Sequence, residues 1–318
     1  MSDIKPASHS AILFVSPQGG GGGYVGIDLL TGKLFAHKPE PQPPDMICPS
    51  PSGRLRIRDF EEGGFAVETS AGKLIKTLKR NQLAYSLGWS ADESSVFYDF
   101  YDPESDEKTG VYVFSIKDKD SRLLIPGDVE SFGYSPDNRR IAFNLKKSSL
   151  DKFGVLTILD GRSYKKVRSE GSHVNTFTFS PNGKRIAFTE LVKDEYGDLS
   201  STSLRVLDLE TGRTTILLTN RRKPLYVWAG DDALLVSTKD KFTVPSVSLI
   251  TISGKTTVLT TNRNAGFIRP FAYLPSRKRA VYKVTRSTYE YEAPEELWAV
   301  EPGHAPVRLF PVKGAGHE

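Results

Sequence analysis

One cysteine, Cys48, stands in 318 residues, which excludes an internal disulfide and any multi-cysteine zinc site. The five histidines, His9, His37, His173, His304 and His317, never fall two or four residues apart. No single segment therefore offers two metal ligands, each histidine reads as an exposed or hydrogen-bonded structural residue, and no cofactor or metal is expected. No stretch approaches the ~18 apolar residues of a membrane span, so no membrane partner is expected. The amino terminus lacks the apolar run of a signal peptide. The cytoplasm is the expected compartment, or the periplasm if a leader has been removed. Nor does one sign of charge dominate: 43 basic against 38 acidic residues leave +5. That balance argues for solubility and gives nucleic acid binding little support. The short clusters Arg221-Arg222-Lys223 and Arg277-Lys278-Arg279 adjoin turns and read as solvated.

Two look-alike motifs fail on context. Gly21-Gly22-Gly23-Tyr24-Val25-Gly26 fits a dinucleotide fingerprint, but a strand comes next where a helix is required. Ser253-Gly254-Lys255-Thr256 resembles the end of a phosphate loop, yet Leu249 stands where the first glycine must be; the segment reads as a hairpin turn.

What the chain has in quantity is a repeat. Residues 177–212 run as an apolar strand, a Ser-Pro-Asn-Gly turn, a second strand, a loop, a third strand and an acidic Thr-Gly turn. The first turn recurs as Ser50-Pro51-Ser52-Gly53, Ser90-Ala91-Asp92-Glu93, Ser135-Pro136-Asp137-Asn138 and Ser180-Pro181-Asn182-Gly183. Degraded copies stand at Ala229-Gly230-Asp231-Asp232 and Leu274-Pro275-Ser276-Arg277. The steps are 40, 45, 45, 49 and 45 residues. Proline presets φ at the second position of a type I turn, and Asp, Asn or Gly tolerates the backbone of the later positions. Before each turn bulky residues alternate with smaller ones, as in Leu87/Trp89, Phe132/Tyr134, Phe177/Phe179, Tyr226/Trp228 and Phe271/Tyr273, a period of two that marks a strand.

A four-stranded unit of about 45 residues is the period of a propeller blade. The expected fold is all-β: a single β-propeller over residues 1–318, with four-stranded antiparallel blades. Seven blades are read at about 9–43, 44–80, 81–126, 127–170, 171–220, 221–262 and 263–313, with six as the alternative. The first blade shows only three strands, and the tail after Phe310 is expected to add the fourth and close the ring, removing open sheet edges.

The Ser-Pro-Asp/Asn-Gly/Asn turn, with Arg-Ile-Ala-Phe after it and Leu-Asp-Leu-Glu-Thr-Gly later, resembles the WD40-like (PD40) repeat of TolB-type β-propellers. The resemblance is clearest over 128–219. These repeats imply a fold and carry no catalytic residue across. Peptidases of the prolyl-oligopeptidase kind pair such a propeller with a Gly-x-Ser-x-Gly elbow, which is absent here. The propeller-shaped oligogalacturonate lyases need a histidine cluster with a metal, which this chain does not show.

The sequence supports two functional readings. The first is a non-enzymatic scaffold, expected to be a monomer, binding a protein partner through the face that carries the long loops between second and third strands. Tyrosine and arginine among charges supply contact area with a polar tip. The candidate contacts are Tyr98, Tyr101, Asp102, Lys193, Tyr196, Arg286, Tyr289 and Tyr291. The competing view is that such loops are solvated, with their aromatics folded back. The second reading is a lyase or hydrolase of carbohydrate or small molecules at the axial channel, with Asp99, Asp102 or Glu195 as acid and base.

Overall fold

The computed structural model describes residues 12–15, 24–28, 34–37, 47–79, 82–90, 92–137, 139–146, 153–193, 199–238, 244–263, 265–285 and 295–310. Strands β1 (Ile12–Val15), β2 (Tyr24–Asp28) and β3 (Leu34–His37) form a three-stranded antiparallel sheet. The next sheet holds β4 (Ile47–Pro49), β5 (Leu55–Asp59), β6 (Phe65–Thr69) and β7 (Leu74–Leu78), and the one after it β8 (Ala84–Trp89), β9 (Ser95–Phe100), β10 (Gly110–Ser115) and β11 (Asp120–Pro126). A seven-stranded sheet comes next, with β12 (Asp128–Tyr134), β13 (Arg140–Lys146), β14 (Gly154–Asp160), β15 (Lys166–Phe179), β16 (Arg185–Lys193), β17 (Leu199–Asp208) and β18 (Thr214–Asn220). It consists of two four-stranded meanders that share the long strand β15. The last two sheets are β19 (Leu225–Trp228), β20 (Ala233–Thr238), β21 (Ser246–Thr251) and β22 (Thr256–Thr261), then β23 (Phe267–Leu274), β24 (Arg279–Thr285), β25 (Glu295–Val300) and β26 (Val307–Phe310).

Every sheet runs in chain order. Among the described residues no helix is long and apolar enough to cross a membrane. The tail after Phe310 lies outside the described residues. The chain divides into two compact units, one of residues 1–4 with 40–175, the other of 5–39 with 176–318.

The repeated turn has a local cause. The serine that opens it is buried at Ser50, Ser90, Ser135 and Ser180. Its Oγ accepts the amide of the residue five positions on: Leu55 at 3.1 Å, Ser95 at 2.9 Å, Arg140 at 2.9 Å and Arg185 at 3.0 Å. The same hydroxyl donates to Asp92 at 2.7 Å, Asp137 at 2.6 Å and Asn182 at 2.8 Å, which explains the acidic or amide residue two places later. One side chain thus satisfies the turn's backbone and fixes its second polar residue. The arginines after the turn have a partner further away. Arg140 lies opposite Asp160 and Arg185 opposite Asp208 in the strand register, with N–O distances of 3.2 Å and 3.3 Å. Asp208 Oδ1 in turn accepts the amides of Glu210 and Thr211. The Arg-Ile-Ala-Phe and Leu-Asp-Leu-Glu-Thr-Gly segments are two halves of one clamp.

In the first unit two apolar layers alternate with the sheets. Ile57, Phe65, Val67, Trp89, Val96, Tyr98 and Phe114 join the β4–β7 sheet to the β8–β11 sheet. Phe97, Val111, Val113, Ile141, Phe143 and Leu159 join the latter to β12–β14. A β-bulge at Leu87 puts Tyr85 and Trp89, which plain alternation would place together, on opposite faces of β8. Glu93 ties the first two turns together: its carboxylate accepts the Ser52 amide and the Ser52 hydroxyl, the latter at 2.8 Å. Glu93 takes a left-handed conformation, φ 58°, at the turn position where Gly53 and Gly183 stand in the equivalent turns.

Among the described residues most exposed large apolar side chains obey the repeat as well. Leu74, Leu123, Val167, Ile216, Val258 and Val307 each lie on the fourth strand of a meander. Two do not, Leu83 and Tyr85, and both stand at the entry to an innermost strand.

Candidate functional site

The turn between β9 and β10 is the one long second-to-third-strand loop within the described residues. Tyr101 opens it, half-buried, and its amide donates to the Leu83 carbonyl at 2.8 Å. Asp102 is next; its Oδ1 accepts the Glu104 amide at 2.9 Å and its Oδ2 lies 3.8 Å from Lys108 Nζ. A single 3-10 turn, Asp106–Lys108, completes the loop. Tyr101, Asp102, Leu83 and Tyr85 therefore come to the same end of the β8–β11 sheet.

The expectation for Tyr98 needs correcting. It lies inside β9 and not in the loop, 0% exposed, stacked on Tyr112 at 5.3 Å and edge-on to Phe65 at 5.2 Å. The strand continues to Phe100, and the alternation of its side chains turns Tyr98 into the layer shared with the β4–β7 sheet. It offers a partner no surface. Lys193 is exposed at the end of β16, in the second unit. Tyr196, Arg286, Tyr289 and Tyr291 lie outside the described residues, as does Glu195.

Sequence reasoning missed Leu83 and Tyr85, which are 45% and 57% exposed. A signal for them exists. Counting back by twos from Leu87 gives Tyr85 and Leu83, whereas the same steps from Phe132 give Glu130 and Asp128, and from Phe177 give Asn175 and His173. Apolar residues persist here beyond the part of the strand that the neighbouring sheets cover.

Directly opposite Tyr85 in the register is Asp99, and paired residues in an antiparallel ladder share a face. Three of its repeat-equivalents clasp the next innermost strand, while a fourth, Thr189, bonds Thr176 of its own meander. Asp59 accepts the hydroxyl and amide of Ser86 at 2.8 Å and 3.4 Å. Asn144 Nδ2 donates to the carbonyls of Val174 and Asn175 at 3.0 Å and 3.3 Å. In the second unit the Ser237 hydroxyl donates to the Ile268 carbonyl at 2.5 Å. Asp99 breaks the pattern, for its Oδ1 is buried with no hydrogen-bond partner. Burial, and secondly the negative charge of Asp128 at the start of β12, push its pKa up to about 7; the Phe100 amide only partly offsets them.

Among the described residues no group of three or more His, Cys, Asp or Glu gathers as a metal site. His173 meets the Ser172 hydroxyl at 2.8 Å and the ring of Phe153 at 6.2 Å, and His304 lies exposed in a turn. Gly254 takes φ 90° in the hairpin turn between β21 and β22. The segment has no helix for a phosphate to cap.

No family model matches the chain, and no curated protein matches its sequence. Solved structures do resemble it. An oligogalacturonate lyase in complex with manganese superposes with a TM-score of 0.53 at 13% identity, over 88% of this chain and 83% of that one. The C-terminal WD40 domain of Sif2 gives 0.48 at 13% identity over 84% and 71%, and TolB from Acinetobacter baumannii 0.41 at 12% over 87% and 72%. At such identities the likeness concerns fold alone. With the four-stranded antiparallel meanders, the first of these similarities establishes an all-β chain of the β-propeller class.

Proposed function

We propose that the protein is a non-enzymatic β-propeller module of the cytoplasm that binds a protein partner as a monomer. Its contact surface is the end of the sheets where the second-to-third-strand loops emerge, and Leu83, Tyr85 and Tyr101 form its centre in the first unit. One observation carries this reading. Among the described residues, exposed large apolar side chains otherwise keep to the outermost strands, whereas Leu83 and Tyr85 stand together beside a long loop at an innermost strand. An aromatic and an aliphatic side chain side by side, rimmed by charge, have the composition of an interface centre. Lys193, Tyr196, Arg286, Tyr289 and Tyr291 belong to the same proposal as contacts from other loops.

A tagged pull-down from native extract tests it, comparing the intact chain with a Leu83→Ser/Tyr85→Ala variant. Both side chains are exposed, so the melting temperature is expected to stay nearly unchanged, while one or more captured proteins are lost. Identical capture by both forms refutes the assignment.

A second reading has its own support. A carboxyl titrating near neutrality beside a second carboxyl suits acid–base chemistry, and Asp99 with Asp128 would serve a hydrolase or lyase of carbohydrate or small molecules. Asp102 fits that role less well, since its carboxylate already caps its own loop. Turnover of an oligosaccharide panel that disappears in Asp99→Asn would favour the enzyme.

A further inference from the structure

The chain as a whole is basic, yet the described residues around Leu83 and Tyr85 are mostly acidic. Asp99, Asp102, Glu104, Glu107, Asp128 and Glu130 lie on β9, on the loop after it and on the start of β12. Among the described residues three bases stand against these six acids. Lys108 is engaged by Asp102, Lys146 lies across the ladder from Asp128, and Lys79 sits 3.9 Å from the centre of the Phe100 ring. Within this acidic rim Asp99 Oδ1 is a buried acceptor with no donor, on the same face as the exposed Tyr85 ring.

From this juxtaposition we infer that the protein partner docks through a basic segment, whose arginine side chain seats against the Tyr85 ring with its guanidinium directed at Asp99 and Asp128. The inference rests on the partner-binding reading above and specifies the partner's chemistry. Three features favour arginine over other occupants. A planar guanidinium stacks on an aromatic face while its N–H fork donates to carboxylates. It supplies the donor that Asp99 Oδ1 lacks, removing the cost of a buried unpaired acceptor. The apolar stem of the same side chain covers Leu83 and the ring, as long basic side chains do on apolar surface. An acidic segment would meet six carboxyl groups of its own sign, and a purely apolar one would bury Asp99 without a donor.

Panning a phage-displayed library of random short peptides against the full chain tests the inference, with counter-selection on the Leu83→Ser/Tyr85→Ala variant. Enriched peptides should carry net positive charge and at least one arginine. Their binding should weaken by about tenfold or more in Asp99→Asn/Asp128→Asn, and it should fall steeply between about 0.1 M and about 0.5 M salt. Asn fills nearly the same volume as Asp, and the melting temperature of the variant monitors its fold. Enrichment of neutral or acidic peptides, or binding indifferent to the two Asn substitutions, overturns the basic partner but leaves the docking site standing. If no peptide prefers the intact chain to the counter-selection variant, both proposals fall.

Discussion

Asp99→Asn isolates the energetic consequence of the buried Asp99 carboxyl. In the folded chain Asp99 holds its proton up to about 7, against 3.8 for an ordinary aspartate. The native state therefore binds this proton more tightly than the unfolded chain does. Stability from this group is accordingly greatest below about pH 4, declines as pH rises through the interval to about 7, and is lowest above it. Three powers of ten in proton affinity correspond to ~4 kcal/mol, the ceiling on what the ionised form costs at pH 8. Asparagine carries no charge at any pH and can donate from Nδ2, as Asn144 does at the equivalent place. Urea denaturation at about pH 4 and about pH 8 reads the effect as a double difference, which cancels the other titrating groups. The two proteins should be nearly equal at the acid end, and the variant should be more stable at the alkaline end by up to ~4 kcal/mol. Parallel stability profiles for the two would mean that Asp99 ionises freely in the native state, and the account of its burial would be wrong.

Tyr98→Ala should cost about 3–5 kcal/mol, measured by denaturant unfolding, since it empties a large site between two sheets; a loss below about 1 kcal/mol would return Tyr98 to the surface. Glu93→Ala and Glu93→Gly both delete the acceptor for Ser52, but glycine also relieves the left-handed backbone. The glycine variant should therefore be the more stable by about 1 kcal/mol, and equal stabilities would show no strain there. Gly110→Ala places a methyl group against the carbonyl of Ile125. With the β11 backbone at Ile125 and Pro126 in the way and little room to give, the substitution should lower the melting temperature by several degrees or abolish folding, with circular dichroism as the measure.

Much of the fold is legible in the sequence because its causes are local. The Ser-Pro-Asp/Asn turn is closed by its own serine and acid within six residues, so it stands in the sequence as a motif. The pairing of Arg140 with Asp160 is legible only as recurring words, since nothing in either segment names the other. Tyr98 misleads because strand and loop meet near it: nothing in the run from Tyr98 to Tyr101 marks where the strand ends until the register with Gly110 fixes Phe100. The bulge at Leu87 is hidden for a related reason, because an inserted residue leaves composition unchanged while reversing which face each side chain takes. Asp99 shows in the sequence only as a carboxylate among aromatics. That its Oδ1 lacks a partner emerges when the equivalent residues of several sheets are compared in three dimensions.

The aliphatic side chains on the outermost strands bear on how copies of the molecule behave toward one another. Leu74, Leu123 and Val167 each have an exposed base as the adjacent residue, Lys73, Arg122 and Lys166. An outermost strand with open backbone groups and an apolar side chain is a template for lateral pairing, and a base beside it keeps like edges apart. That repulsion acts over ~10 Å at 0.1 M salt and only ~3 Å at 1 M. Concentrated brine should therefore make solutions of this protein scatter light and settle, through contacts unrelated to the proposed docking surface. Shelf life in the laboratory would then be governed by ionic strength and by three perimeter bases, and much less by the melting temperature of the core.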